Sequence, residues 1–186
     1  MKLLKTLLLS TALAIAPLAA HAEVFNFSYS FDPNNTGDGN ALSLTGSFSG
    51  NLTGSIISSI SNFSVSLNGA SFSGPLLGGG WNSATQAFDS SVAPVVSSNV
   101  ALDNFIFADT DVSTNPSGVS NYFWFTGGQL FAINFNQSDA TGNAISGFES
   151  ADPAKWTVAA VPEPSSYAML LAGLGLMVMV MRRRVR

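Results

Sequence analysis

Phe25, Phe27, Tyr29 and Phe31 alternate with Asn26, Ser28 and Ser30, and this period of two is what most limits the folds open to the chain. Side chains alternate across a strand, so the segment predicts a strand with one aromatic, buried face and one hydroxyl-rich, solvated face. Leu42, Leu44 and Phe48, alternating with Ser43, Thr45 and Ser47, repeat the pattern, with Gly46 standing where a bulge would put it. Residues 63–67 and 70–73 flank Asn68-Gly69, the pair suited to a type I′ turn because both positions need positive φ. In that register Leu67 faces Ala70 and Val65 faces Phe72.

Gly74-Pro75 and Gly78-Gly79-Gly80 read as breaks, and residues 81–96 as one short strand with a loop around Pro94. Residues 100–107 predict another strand. Residues 122–125 and 130–135 predict a second hairpin around Gly127-Gly128, with Trp124 opposite Phe131 and Tyr122 opposite Ile133. Residues 156–161 predict a closing strand. No stretch within residues 23–160 sustains a helical period. Short alternating strands joined by Gly, Asn and Ser turns predict an all-β chain, a single antiparallel β-sandwich or jelly-roll-like domain of about eight or nine strands.

Charge narrows the function classes. Between Lys5 and Arg182 the sole basic residue is Lys155, while the acids within residues 23–160 are Glu23, Asp32, Asp38, Asp89, Asp103, Asp109, Asp111, Asp139, Glu149 and Asp152. Phosphate contacts rely on arginine and lysine, so nucleic acid is no partner for this domain. The chain has no cysteine, and its one histidine, His21, precedes the domain. Histidine or cysteine nucleophile systems, imidazole or thiolate zinc sites and disulfides are therefore unavailable. No cofactor is expected, and the chain does not read as an enzyme. Catalysis would have to use carboxylates or a hydroxyl nucleophile, and a glycosidase pair drawn from Asp103, Asp109, Asp111, Asp139 and Glu149 is the available alternative.

Asp32, Asn34, Thr36 and Asp38 place oxygens at calcium-loop spacing with Gly37 at the sharp turn, but Ser43 stands where a bidentate acid belongs. Ordinary turn chemistry explains the same residues. The run from Asp109 and Asp111 to Asn115 is a second oxygen-rich loop. Trp81, Trp124, Tyr122 and Trp156 suit either core packing or stacking against sugar rings. Trp124 lies in a run apolar on both faces, which favours burial, and Trp81 after its glycines favours exposure.

The two ends carry targeting chemistry. Lys2 and Lys5 precede an apolar run, and Ala20-His21-Ala22 supplies the small residues a signal peptidase prefers, so residues 1–22 predict a signal peptide cleaved after Ala22. At the other end, Pro162-Glu163-Pro164 precedes the charge-free residues 165–181, and Arg182, Arg183 and Arg184 open a basic end at 182–186. The apolar run is at the low end of what spans a hydrocarbon core of about 30 Å. The arginines hold the extreme C-terminus in the cytoplasm.

Residues 161–186 resemble the PEP-CTERM sorting signal of bacterial exosortase substrates. The resemblance, confined to this tail, implies that Pro162, Glu163 and Pro164 are the recognition element, residues 165–181 a transmembrane sorting helix, and the arginines its stop. It further implies that exosortase cuts near the motif and releases an inner-membrane-anchored precursor to the cell surface or extracellular matrix. With the domain at residues 23–160, the combined reading is a non-catalytic, exported surface or exopolysaccharide-matrix protein, as found in biofilms. A carbohydrate-binding module or a carboxylate-dependent glycan hydrolase is the alternative. The expected partners are signal peptidase, exosortase, the membrane and extracellular polysaccharide.

Overall fold

The computed structural model describes residues 22–109, 121–139 and 142–162, and of the tail Leu171, residues 173–175 and Met177. The expected signal peptide up to residue 21, including Ala20, lies outside the described residues. So do Asp111, Asn115, Glu163, Pro164, Arg182, Arg183 and Arg184. Among the described residues no helix is long and apolar enough to cross a membrane, and the span expected at 165–181 lies largely outside them.

The described residues form strands β1 Glu23–Phe31, β2 Leu42–Thr53, β3 Ile56–Leu67, β4 Ala70–Ser71, β5 Leu77–Asn82, β6 Ala87–Asp89, β7 Val96–Ser97, β8 Asn104–Ala108, β9 Asn121–Thr126, β10 Gln129–Ser138, β11 Ala144–Ser150 and β12 Thr157–Ala160. One sheet runs β12-β1-β2-β3-β4, with β7 also paired to β3, and the other runs β11-β10-β9-β8-β5-β6. The paired strands are antiparallel throughout. The expected antiparallel sandwich is thus the architecture, with more strands among the described residues than the eight or nine anticipated.

The period-two pattern does what it predicts. Phe25, Phe27, Tyr29 and Phe31 are buried while Asn26 and Ser30 are exposed. Across the interior Phe27 meets Phe123 of the other sheet at 5.8 Å between ring centroids, and Phe48 meets Phe107 at 6.3 Å. Removing such rings from water is the main stabilising term, about 25 cal/mol per Å² of apolar surface. Both hairpins keep their predicted registers: Leu67 faces Ala70, Trp124 faces Phe131 and Tyr122 faces Ile133. Asn68 and Gly69 take φ of 53° and 84°, as a type I′ turn requires.

Several expectations are corrected. Gly46 is not bulged, for it pairs in register with both Phe27 and Val65. A Cβ there would lie 2.3 Å from the Phe27 ring, so glycine makes room for a cross-strand aromatic. The register shifts of β2 against β3 come later, between Ser47 and Asn51. Nor do Gly78, Gly79 and Gly80 break the chain: they lie inside β5, where a Cβ on Gly78 would meet the Phe63 ring at 2.6 Å. Residues 81–96 divide among β5, β6 and the start of β7 rather than forming one strand. The strand expected at 100–107 begins only at Asn104, because Leu102 turns back to donate its N–H to the Asn99 carbonyl.

Strand β11 has no counterpart in the sequence reading. Its inward positions include Gly147, over which the Phe31 ring lies, and Glu149, a buried charge, while Phe148 points outward. Its hydropathy pattern is inverted, and only its partners reveal it.

Candidate functional site

The outer face of the second sheet carries a connected row of rings. Trp81 meets Phe88 at 5.2 Å, Phe88 meets Trp124 at 5.7 Å, Trp124 stacks on Phe131 at 6.2 Å, and Phe131 meets Phe148 at 6.4 Å. Tyr122 adds a branch, 5.4 Å from Phe131. Strands in a sheet lie about 4.8 Å apart, so same-face aromatics on neighbouring strands come into contact. The register supplies those neighbours: Trp124 opposes Phe131, which opposes Phe148. Trp81, Phe88, Tyr122, Trp124 and Phe131 are each half-buried, and Phe148 is 47% exposed. The row bears no charge, and the nearest acid along β6, Asp89, accepts from the Asn82 amide. Such a surface suits an uncharged ligand with flat, weakly apolar faces.

The four aromatics singled out from sequence part company here. Trp81, Trp124 and Tyr122 share the outer face. Trp156 does not: it is buried at 5% exposure, stacks within the core against Phe105, and donates its indole N–H to the Ser97 carbonyl at 2.8 Å. A stacking role for Trp156 is thereby overturned. Phe88 and Phe148 were missed because each sits in a short or pattern-inverted strand.

A second polar cluster ties the sheets together at Glu149. Its Oε1 accepts from the Tyr29 hydroxyl and from Lys155 Nζ at 3.3 Å, and its Oε2 accepts from the Asp32 N–H at 3.0 Å and Asn35 Nδ2 at 2.8 Å. Burial alone would raise this carboxyl, but the hydrogen bonds from Tyr29, Asn35, Asp32 and Lys155 outweigh it and hold Glu149 below its usual range. Burial, then the bond to Glu149, raises the Tyr29 phenol. Lys155 also pairs with Asp32 at 2.6 Å, and that bond raises its ammonium.

Asp32, Glu149 and Asp152 therefore line one shallow recess, a grouping different from the carboxylate pairs the sequence offered. Four donors occupy the acceptor sites of Glu149. A carboxylate so saturated, and held ionised, is poorly placed to transfer a proton.

Asp103, in the connection from β7 to β8, is also buried. Its Oδ1 accepts from the Ser97 N–H at 2.7 Å while its Oδ2 has no hydrogen-bond partner among the described residues, and burial pushes its pKa up to about 7. Asp109 instead accepts from Asn121 Nδ2 at 2.7 Å.

The calcium-loop candidates run from Asp32, the residue before a 3-10 turn at Pro33–Asn35, to beyond its end. Asp32 faces Lys155, and Asp38 accepts from the Asn40 N–H at 3.0 Å, which lowers its carboxyl. Thr36 bridges to Gly147 of β11 and Gly37 donates to the Ser146 carbonyl. The loop is stitched to β11 by its own polar groups, and among the described residues no cluster of three or more His, Cys, Asp or Glu is placed to hold a metal.

Strand β12 runs without a linker into the tail: Val161 donates its N–H to the Val24 carbonyl at 2.7 Å, and Pro162 follows with no donor to continue the ladder. No curated protein and no solved structure matches the chain. Residues 160–184 match the PEP-CTERM protein-sorting motif, so the C-terminal tail carries the address of an exported, exosortase-processed protein.

Proposed function

We propose that this chain is a non-catalytic cell-surface or exopolysaccharide-matrix protein, exported through a signal peptide ending at Ala22. The apolar residues 165–181 hold it in the inner membrane until exosortase processes it at Pro162-Glu163-Pro164. The observation that carries this reading is the sorting motif matched at residues 160–184. The saturated carboxylate of Glu149 supports a structural rather than a catalytic role for the one acid-rich recess described above. Deleting residues 162–164 should abolish surface delivery and tail removal, and the intact mass of the extracellular form should lack Arg182–Arg186. Unchanged delivery with a full-length mass would overturn the sorting role.

The aromatic row favours a second reading, that the domain binds the producer's own neutral polysaccharide. Ring faces at Trp81 and Trp124 would stack on sugar C–H faces. Retardation in polysaccharide affinity gels should be lost in Trp81→Ala and Trp124→Ala. Retardation that survives both changes would remove the row from any binding role.

A further inference from the structure

We infer that the end of the first sheet where β1 begins and β12 finishes is a membrane-contact surface of the tethered protein, with the β2–β3 hairpin tip seated in the lipid interface. This rests on the proposal that residues 165–181 lodge in the membrane. Both ends of the domain leave from this one place. Phe25 pairs with Ala160, Val161 bonds to Val24, and Glu23 pairs with Gly50. The first residues of β1 and the residues that close β12 therefore lie side by side at this end.

The β2–β3 hairpin runs beyond that point. Asn51, Leu52 and Thr53 continue β2 past the residue that pairs with Glu23, carrying the tip roughly 10 Å further at about 3.3 Å per residue. Chain reach limits the segment from Val161 to the apolar run to roughly 15 Å. The tip, roughly 10 Å beyond Glu23, thus lies within that reach of the point where the anchor would enter the bilayer.

The side chains suit that position. Leu52 is 51% exposed, Val24 41%, Ile56 38% and Val161 38%, a concentration of bare aliphatics at one end of the sheet. Residues 50–58 carry no charge. Charged groups oppose entry to the interface, whereas exposed aliphatic side chains gain from leaving water there.

Because the chain has no cysteine, a single introduced one reports alone. Leu52→Cys and, at the opposite hairpin, Asn68→Cys, each in the chain from Glu23 to Arg186 that signal-peptide cleavage leaves, would be labelled with an environment-sensitive fluorophore. Each would then be reconstituted into phosphatidylethanolamine and phosphatidylglycerol vesicles with or without nitroxide-bearing lipid. The expected result is that both proteins float with the vesicles and that nitroxide quenches the label at 52 but not at 68. Flotation with equal quenching at the two sites would overturn the membrane contact and leave the tail anchor intact. Density-dependent energy transfer between labels at 52, in place of nitroxide quenching, would identify a second copy of the chain as the occupant and overturn it too. Failure to float would overturn the anchor reading and this inference together.

Discussion

The two sheets share one kind of inner face and differ in their outer ones. Inward, both present phenylalanine: Phe25, Phe27 and Phe48 from one side, Phe105, Phe107, Phe123 and Phe125 from the other. Outward, the first sheet displays hydroxyls that bond to one another, Ser28 to Thr157 at 2.6 Å and Ser47 to Ser64 at 2.8 Å. The second sheet displays the ring row from Trp81 to Phe148. The faces that agree supply the core, and the faces that diverge differ in the apolar area they leave uncovered. A hydroxyl surface is already satisfied by neighbours and water, while half-exposed rings retain apolar area for a ligand to cover.

The sharpest way to break this comparison is across a single strand. Phe27→Ala removes a ring that touches Phe48, Phe107, Phe123 and Trp156. It should cost about 5 kcal/mol, the upper end of large-to-small core changes. Ser28→Ala, its outward neighbour, should stay within about 0.5 kcal/mol. Urea denaturation of both tests whether the two faces of β1 differ as described.

Next come the buried acids at the seams between sheets, whose pKa shifts run in opposite directions. Asp103 rises from an ordinary 3.8 to about 7, so the folded state holds its proton more tightly than the unfolded one. Stability should fall as pH climbs through that window, by on the order of 4 kcal/mol. Asp103→Asn should flatten that slope in pH-dependent thermal melts. Glu149 is depressed, so its contribution is present above the unfolded carboxylate pKa and lost as pH falls through the lower folded one. Glu149→Gln should cost about 3 kcal/mol near neutrality, because an amide nitrogen then faces two of the four donors. The loss should shrink in acid, read by the same melts.

The smallest stability effects separate the outer faces. Trp124→Ala should cost only about 1.5 kcal/mol of stability, since the ring is half-buried, yet weaken polysaccharide binding about tenfold. Ser47→Ala on the other sheet should change stability by less than about 0.5 kcal/mol and leave binding untouched. Equal effects on binding would erase the distinction between the faces.

Much of the frame was legible in the chain. Alternation located β1, the start of β2 and β9–β10, and turn chemistry fixed both hairpin registers, because these depend on neighbours in sequence. The tail was legible for the same reason, its motif, apolar run and arginines being contiguous. Less legible were the strands whose character depends on distant partners. Gly46 is explained by the Phe27 ring, Gly78 by Phe63, and β11 by Phe31 and by the donors around Glu149.

The aromatic site shows where that boundary falls. In Tyr122-Phe123-Trp124-Phe125 the sequence determined that Tyr122 and Trp124 share one face and Phe123 and Phe125 the other, since the strand period is two. Both sets are apolar, so the sequence left open which face turned inward. The opposing sheet decided it: Phe27 and Trp156 pack on Phe123, and Trp124 is left outside with Phe88 and Phe131. In the same way Lys155 reads as a solitary surface charge until folding brings it to Asp32 and Glu149. Local period and contiguous motifs belong to the sequence, whereas the choice between two apolar faces and the pairing of buried charges depend on groups far apart in the chain, which only the tertiary structure brings together.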